Sequence, residues 1–143
     1  MENLNNVIFY NIEQAIKTYR MYAQKQIKSH DLKITVDQWL VLKSLKENPK
    51  ANQQELAETV FKDTASITRI IDLLVKSEFV EREINLNDRR KFDLMITSNG
   101  EKILAKTHVI VLENRKKALN GISENDIKIL NETLQKITKN CKH

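Results

Sequence analysis

Apolar residues recur at three- and four-residue intervals along most of this chain, and the pattern changes to alternation in one place. Leu4, Val7, Ile8, Ile12, Ala15, Ile16, Tyr19, Ala23 and Ile27 follow the helical period, which predicts an amphipathic helix over about residues 4–29. Its apolar side is too long for a small domain to cover alone. Residues 30–34 form a connection. Thr35 and Gln38 stand at capping-box spacing. The helix they open carries Trp39, Leu40, Leu42 and Leu45 inward and stops ahead of Pro49. Asn52 and Glu55 repeat the device for a short helix that buries Leu56, Ala57 and Val60. Phe61 and Lys62 make a turn. Asp63 or Thr64 then caps a helix with a core stripe of Ile67, Ile70, Ile71 and Leu74.

The alternating stretch follows. Val80, Arg82 and Ile84 alternate with Glu81 and Glu83, and Phe92, Leu94 and Ile96 alternate with Asp93 and Met95. Each reads as a half-buried strand. Residues 85–90 between them form a hairpin loop, in which Asn and Asp accept turn conformations. Thr97 caps another helix, whose stripe of Ile103, Leu104, Val111, Leu112 and Leu119 runs to about residue 120, where Gly121 ends it. The last helix opens at Ser123 and carries Ile127, Leu130, Leu134 and Ile137 on one face. The expected fold is mainly α with a small β-hairpin wing. It has a winged helix-turn-helix lobe over about residues 35–97, flanked by helices over about 4–29 and 98–140, all within one domain spanning 1–143.

Composition agrees with a mostly helical chain: 143 residues hold two Gly and one Pro. That length suits one domain with a real core. The single Cys141 excludes an intramolecular disulfide and points to a reducing compartment. Glu2, Asn3, Asn5 and Asn6 interrupt any signal-peptide pattern, and no apolar run approaches the roughly 20 residues of a membrane span. A cytoplasmic protein is expected. The net charge of +5 permits a nucleic-acid partner, but its distribution gives no direct support. Residues 62–97 carry 7 basic and 7 acidic groups, and the excess lies toward the two ends.

The case for DNA therefore rests on where single side chains point. A major groove about 12 Å wide admits one α-helix, provided the residues facing the bases are short. Thr64, Ala65, Ser66 and Thr68 meet that demand, and Arg69 is the long planar donor among them, suited to guanine or to a phosphate. Asn52, Gln53 and Gln54 open the preceding helix, where donors to backbone phosphate set register. Lys62 lies in the intervening turn. Arg89, Arg90 and Lys91 stand at the hairpin tip, suited to a minor groove. Taken singly, each feature is better explained by capping or a solvated turn. Their order along the chain favours DNA.

Between Ile34 and about Leu104 the chain resembles the MarR family of bacterial winged-helix regulators. The matching residues are Thr35-Val36-Asp37-Gln38-Trp39, Gln54-Glu55-Leu56-Ala57, Ser66 to Leu74, Val80-Glu81-Arg82, Asn87-Asp88-Arg89-Arg90 and Ile96 to Gly100. The resemblance implies a homodimer whose terminal helices interlock for dimerisation. It also implies binding to a pseudo-palindromic double-stranded DNA operator, with repression relieved by a small molecule or oxidant. In the family's wing motif an Asp holds the Arg that enters the minor groove; here these are Asp88 and Arg90. Effectors in the family commonly lie near the first two helices. The corresponding candidates for a small aromatic or lipophilic effector are Tyr19, Met21, Tyr22, His30 and Trp39, with Tyr10 nearby.

Two positions depart from the family. Glu78 stands where a Gly commonly follows the recognition helix. It must either accept a left-handed backbone or end the helix differently, which bears on the orientation of the wing. The only Cys, Cys141, is third from the C-terminal end rather than in the N-terminal region used by peroxide-sensing members, so thiol sensing of that kind is not expected. His30, His108 and His143 are scattered, so no metal is expected. No cofactor or enzymatic activity is expected either, since no phosphate-binding Gly loop or activated nucleophile is present. The alternative function is a winged-helix module that binds protein rather than specific DNA.

Overall fold

The computed structural model describes residues 1–88, 90 and 92–142. A 3-10 turn over Leu4–Asn6 precedes α1 (Ile8–Ser29), α2 (Val36–Glu47), α3 (Gln53–Thr59) and α4 (Thr64–Lys76). The hairpin is β1 (Val80–Ile84) and β2 (Phe92–Ile96), followed by α5 (Ser98–Ala118) and α6 (Glu124–Cys141). The architecture is mainly helical with a small wing, as the periodicities predict. The first predicted helix loses one turn, because Val7 is extended between the 3-10 turn and α1.

The helix starts follow their capping residues. Thr35 and Asn52 each make a complete capping box, with Gln38 and Glu55 returning the bond to the cap backbone. Asp63, not Thr64, caps α4 and accepts from the Ser66 N–H at 2.7 Å. Thr97 and Ser123 cap α5 and α6.

The helix ends are less ordinary. Three of them close in one way, with a left-handed residue that is not glycine. Asp31, Phe61 and Glu78 have φ of +56°, +61° and +65°. In each case the next N–H bonds back across the last turn: Leu32 to Ile27 O at 3.3 Å, Lys62 to Ala57 O at 2.9 Å and Phe79 to Leu74 O at 3.0 Å. Glu78 therefore keeps the left-handed turn, at the conformational cost that a Gly would avoid. Glu78 stands where this geometry is one of two expected outcomes, whereas nothing in the sequence marks Asp31 and Phe61 for it.

The core lies inside the lobe. Leu42 and Leu45 of α2, Leu56 of α3, and Ile67, Ile71 and Leu74 of α4 are almost wholly buried. Ile27 from the end of α1 and Leu104, Ile110 and Val111 from α5 join them. β1 and β2 pair antiparallel from Val80 opposite Ile96 to Ile84 opposite Phe92. Only the root of this ribbon is anchored in the core, through Val80 and Leu94; Ile84 and Phe92, expected to be half-buried, are exposed because the ribbon projects beyond the lobe. Gly100 lets α5 start directly on the wing root: a Cβ there would meet the Phe79 carbonyl oxygen at 2.2 Å.

The stripe on α5 also differs from expectation. Its buried face holds Thr107 and Asn114 beside Leu104, Ile110 and Val111, while Leu112 and Leu119 face outward. α6 buries no residue, and neither do the 3-10 turn and most of α1.

Candidate nucleic-acid interface

The side of α4 opposite its core stripe carries the residues singled out for DNA. Thr64, Ala65 and Arg69 are exposed, and Ser66 and Thr68 are half-buried. This follows from helix geometry: Ile67, Ile70, Ile71 and Leu74 take the inner face and turn Thr64, Ala65 and Arg69 to the outside. Asp63 stands at the start of that outer surface. Its carboxyl titrates below the ordinary aspartate range, chiefly because the Ser66 backbone N–H bonds to it and then the Ser66 hydroxyl. Arg69 and Lys62 add smaller electrostatic pulls in the same direction.

Two predicted contact residues are joined to one another. The Gln53 side-chain amide donates to Thr68 Oγ1 at 2.6 Å, and that hydroxyl donates to the Thr64 carbonyl at 2.8 Å. Gln53 thereby ties the first turn of α3 to the outer flank of α4, a frame for both helices. Asn52 uses its side-chain oxygen as the α3 cap, and Gln54 is exposed beside it. Lys62 is half-buried, with its ammonium 3.3 Å from Asp37 on α2.

In the wing, Asn85 organises the loop. Its side-chain oxygen accepts from the N–H groups of Asn87 and Asp88 at 2.8 and 3.1 Å, and its amide donates to Asp93 at 3.1 Å. Asp88 then accepts from the Arg90 backbone N–H at 3.0 Å. The carboxylate thus sets the backbone at Arg90, whose side chain is exposed. Arg89 and Lys91 lie outside the described residues. An ion pair between Asp72 of α4 and Arg82 of β1 links the helix to the wing.

The five effector candidates do not share one pocket. Tyr19 and Tyr22 line a groove of about 650 Å³ with Lys117 and Ala118 of α5. Trp39 lines a separate recess of about 260 Å³ with Lys43, Lys46, Leu104 and His108. Met21 is 75% exposed. His30 is exposed at the end of α1, where its Nδ1 lies 2.8 Å from the Gln26 carbonyl. Tyr10 is exposed as well. Helical spacing brings Tyr19 and Tyr22 together, but Trp39 belongs to another helix that meets α5 elsewhere. Among the described residues no group of His, Cys, Asp and Glu could hold a metal.

The model of the MarR family matches residues 34–92, from just before α2 to the start of β2. The winged-helix lobe is thus similar to the MarR family over those residues. Solved structures extend the likeness to nearly the whole chain. A Listeria innocua protein of unknown function is 29% identical, with a TM-score of 0.69 and coverage of 94% of this chain and 93% of that one. A mutant of Escherichia coli MarR complexed with operator DNA is 24% identical, with a TM-score of 0.84 and coverage of 96% and 99%. Bordetella bronchiseptica BpsR, whose DNA binding is described as regulated by 6-hydroxynicotinic acid, is 17% identical, with a TM-score of 0.87 and coverage of 96% and 97%. The chain thus shares the fold of these proteins, including the helices outside the matched lobe. Among the described residues no helix is long and apolar enough to cross a membrane.

Proposed function

We propose that this chain is a homodimeric, DNA-binding regulator of transcription, acting as a repressor at a pseudo-palindromic operator. The observation that carries this reading is the outer surface of α4. It offers short residues and one Arg on a MarR-family lobe, and a protein of the same fold has been captured on operator DNA. Thr64, Ala65, Ser66 and Arg69 face the bases in the major groove, with Thr68 held at the flank by Gln53. Asn52, Gln54 and Arg89 meet phosphate, and Arg90 on its Asp88-set turn enters the minor groove. Two such lobes on one face of the duplex would read half-sites about 10 bp apart.

Dimerisation is supported by apolar surface that the protomer leaves uncovered. Leu4, Ile8, Phe9 and Ile16 are exposed near the N-terminus, and Ile129 and Leu130 on α6. An effector of small aromatic or lipophilic character fits this reading. Its candidate places are the Tyr19–Tyr22 groove and the Trp39 recess. It can act only by its differential affinity for a dimer whose lobes are wrongly spaced.

A second reading, a protein-binding module, has one observation in its favour. The wing exposes Ile84, Leu86 and Phe92, which a DNA contact through Arg90 leaves unexplained. Selection of bound sequences from random DNA, followed by a salt titration, separates the two. A symmetric selected site with log affinity falling by about 0.9 per phosphate contact against log salt supports the regulator. No enriched site and a flat salt response support the protein module. Arg90→Ala should weaken the selected site with the fold intact. Arg69→Ala should cost more on that site than on random DNA if Arg69 reads a base.

A further inference from the structure

One carboxylate joins three parts of the chain. Asp37 is the second residue of α2. Its Oδ1 accepts from the Arg20 guanidinium on α1. Its Oδ2 lies 3.3 Å from the Lys62 ammonium, in the turn that leads into α4. One turn further along α1, Gln24 Oε1 accepts from the Val36 N–H at 2.8 Å. Thus α1 grips the first turn of α2 at two points, and the same Asp37 reaches forward to the start of α4. The left-handed Phe61 helps place Lys62 for this, because closing the end of α3 through the Lys62 N–H turns the chain back toward α2.

We propose that Asp37 is a positioning residue that fixes the winged-helix lobe on α1 through Arg20 and Lys62, and so sets the spacing between the two α4 helices of a dimer. This rests on the DNA-binding dimer proposed above. α1 also packs along α5, and its buried apolar residues, Ala23 and Ile27, lie toward its C-terminal end. Apolar burial is non-directional, so the polar contacts to Asp37 and Val36 add direction to the seat of the lobe on α1. All three charged groups are about one-third exposed. Each pair therefore contributes little to folding, but removing Asp37 leaves two cations facing each other with no carboxylate between them. Lys62 takes a new role in this arrangement: its charge serves the joint between lobe and α1 rather than a phosphate.

The test uses the full chain and the operator selected from random DNA, together with copies whose half-site spacing is changed by one base pair either way. Wild type should discriminate against the altered spacings. Asp37→Asn should reduce that discrimination about three- to tenfold, with affinity for random DNA and circular dichroism unchanged. Arg20→Gln should do the same, and adding it to Asp37→Asn should bring little further loss. Unchanged discrimination in Asp37→Asn overturns the proposal. A salt slope lowered by about 0.9 in Lys62→Gln would return Lys62 to phosphate binding. A measurement without DNA keeps the joint testable if the selection finds no site. Spin labels at Lys25→Cys and Ala65→Cys, in a Cys141→Ser background diluted with unlabelled protein, report the distance from α1 to α4. The distribution should be narrow in the parent and broader with Asp37→Asn; equal widths refute the joint. Failure of the selection with a broadened distribution would instead count against the DNA-binding reading alone.

Discussion

The lobe and the helical arms spend their apolar residues in opposite ways. In the lobe, α2, α3 and α4 turn their stripes on each other, and Leu42 and Ile67 are completely buried. In the arms, Ile8, Ile16 and Leu130 repeat at equally good helical spacing, yet they stay exposed in the protomer. The same periodicity thus describes a core in one region and an unpartnered surface in the other. A helix pattern states that one side wants burial; it does not state which molecule provides it.

The sharpest way to break this comparison is to remove one side chain from each region. Ile67→Ala should cost about 2–5 kcal/mol in denaturant unfolding, because it empties a closed core. A loss below about 1 kcal/mol would show that the lobe core is not as tight as its burial implies. Gly100→Ala acts at the seam between lobe and arm. The new Cβ must displace the Phe79 backbone, and overpacking of this kind costs about 1–3 kcal/mol. Wild-type stability in that variant would place the start of α5 elsewhere. Leu130→Asp should leave lobe unfolding nearly unchanged while raising the dissociation constant of the proposed dimer about tenfold or more in sedimentation, since the charge enters an apolar surface that the proposal gives to a second copy. Unaltered self-association would remove α6 from the interface.

Two smaller effects refine the picture at the ends of helices. The Asp63 carboxyl titrates below its unfolded value, so its cap contributes fully above the ordinary aspartate range and is lost as pH falls through the lowered value. Asp63→Asn keeps an oxygen cap that does not titrate. The stability advantage of wild type should therefore be constant near neutrality and shrink under acid; an advantage independent of pH would contradict the cap. Phe61→Gly relieves a left-handed backbone at a side chain that is 93% exposed. Thermal unfolding should shift upward by the equivalent of less than about 1 kcal/mol, set by strain relief against the extra freedom of Gly when unfolded. A clear loss would mean that the Phe61 side chain packs on something in the folded protein.

Much of the lobe was legible because its signals are local. Thr35 with Gln38 and Asn52 with Glu55 announce helix starts within four residues, and the stripe of α4 leaves Arg69 only one side to occupy. Other features depend on partners far along the chain. Nothing local marks Thr107 and Asn114 for burial, since polar residues ordinarily lie outside and only the packing of α5 turns them in. Tyr19 and Trp39 look like walls of one pocket until the packing separates them. Lys62 reads as a free cation near DNA until Asp37, 25 positions earlier, is brought to it.

By itself, then, the sequence determined the element order, every helix cap it singled out except the choice between Asp63 and Thr64, the inner face of each lobe helix and the surface of α4 turned outward, because these follow from hydrogen bonds and periodicities that close within one or two turns. The sharing of Asp37 between Arg20 and Lys62 and the contact of Gly100 with Phe79 were decided only by the tertiary structure. Each depends on the distance between groups that the chain holds apart and the fold brings together.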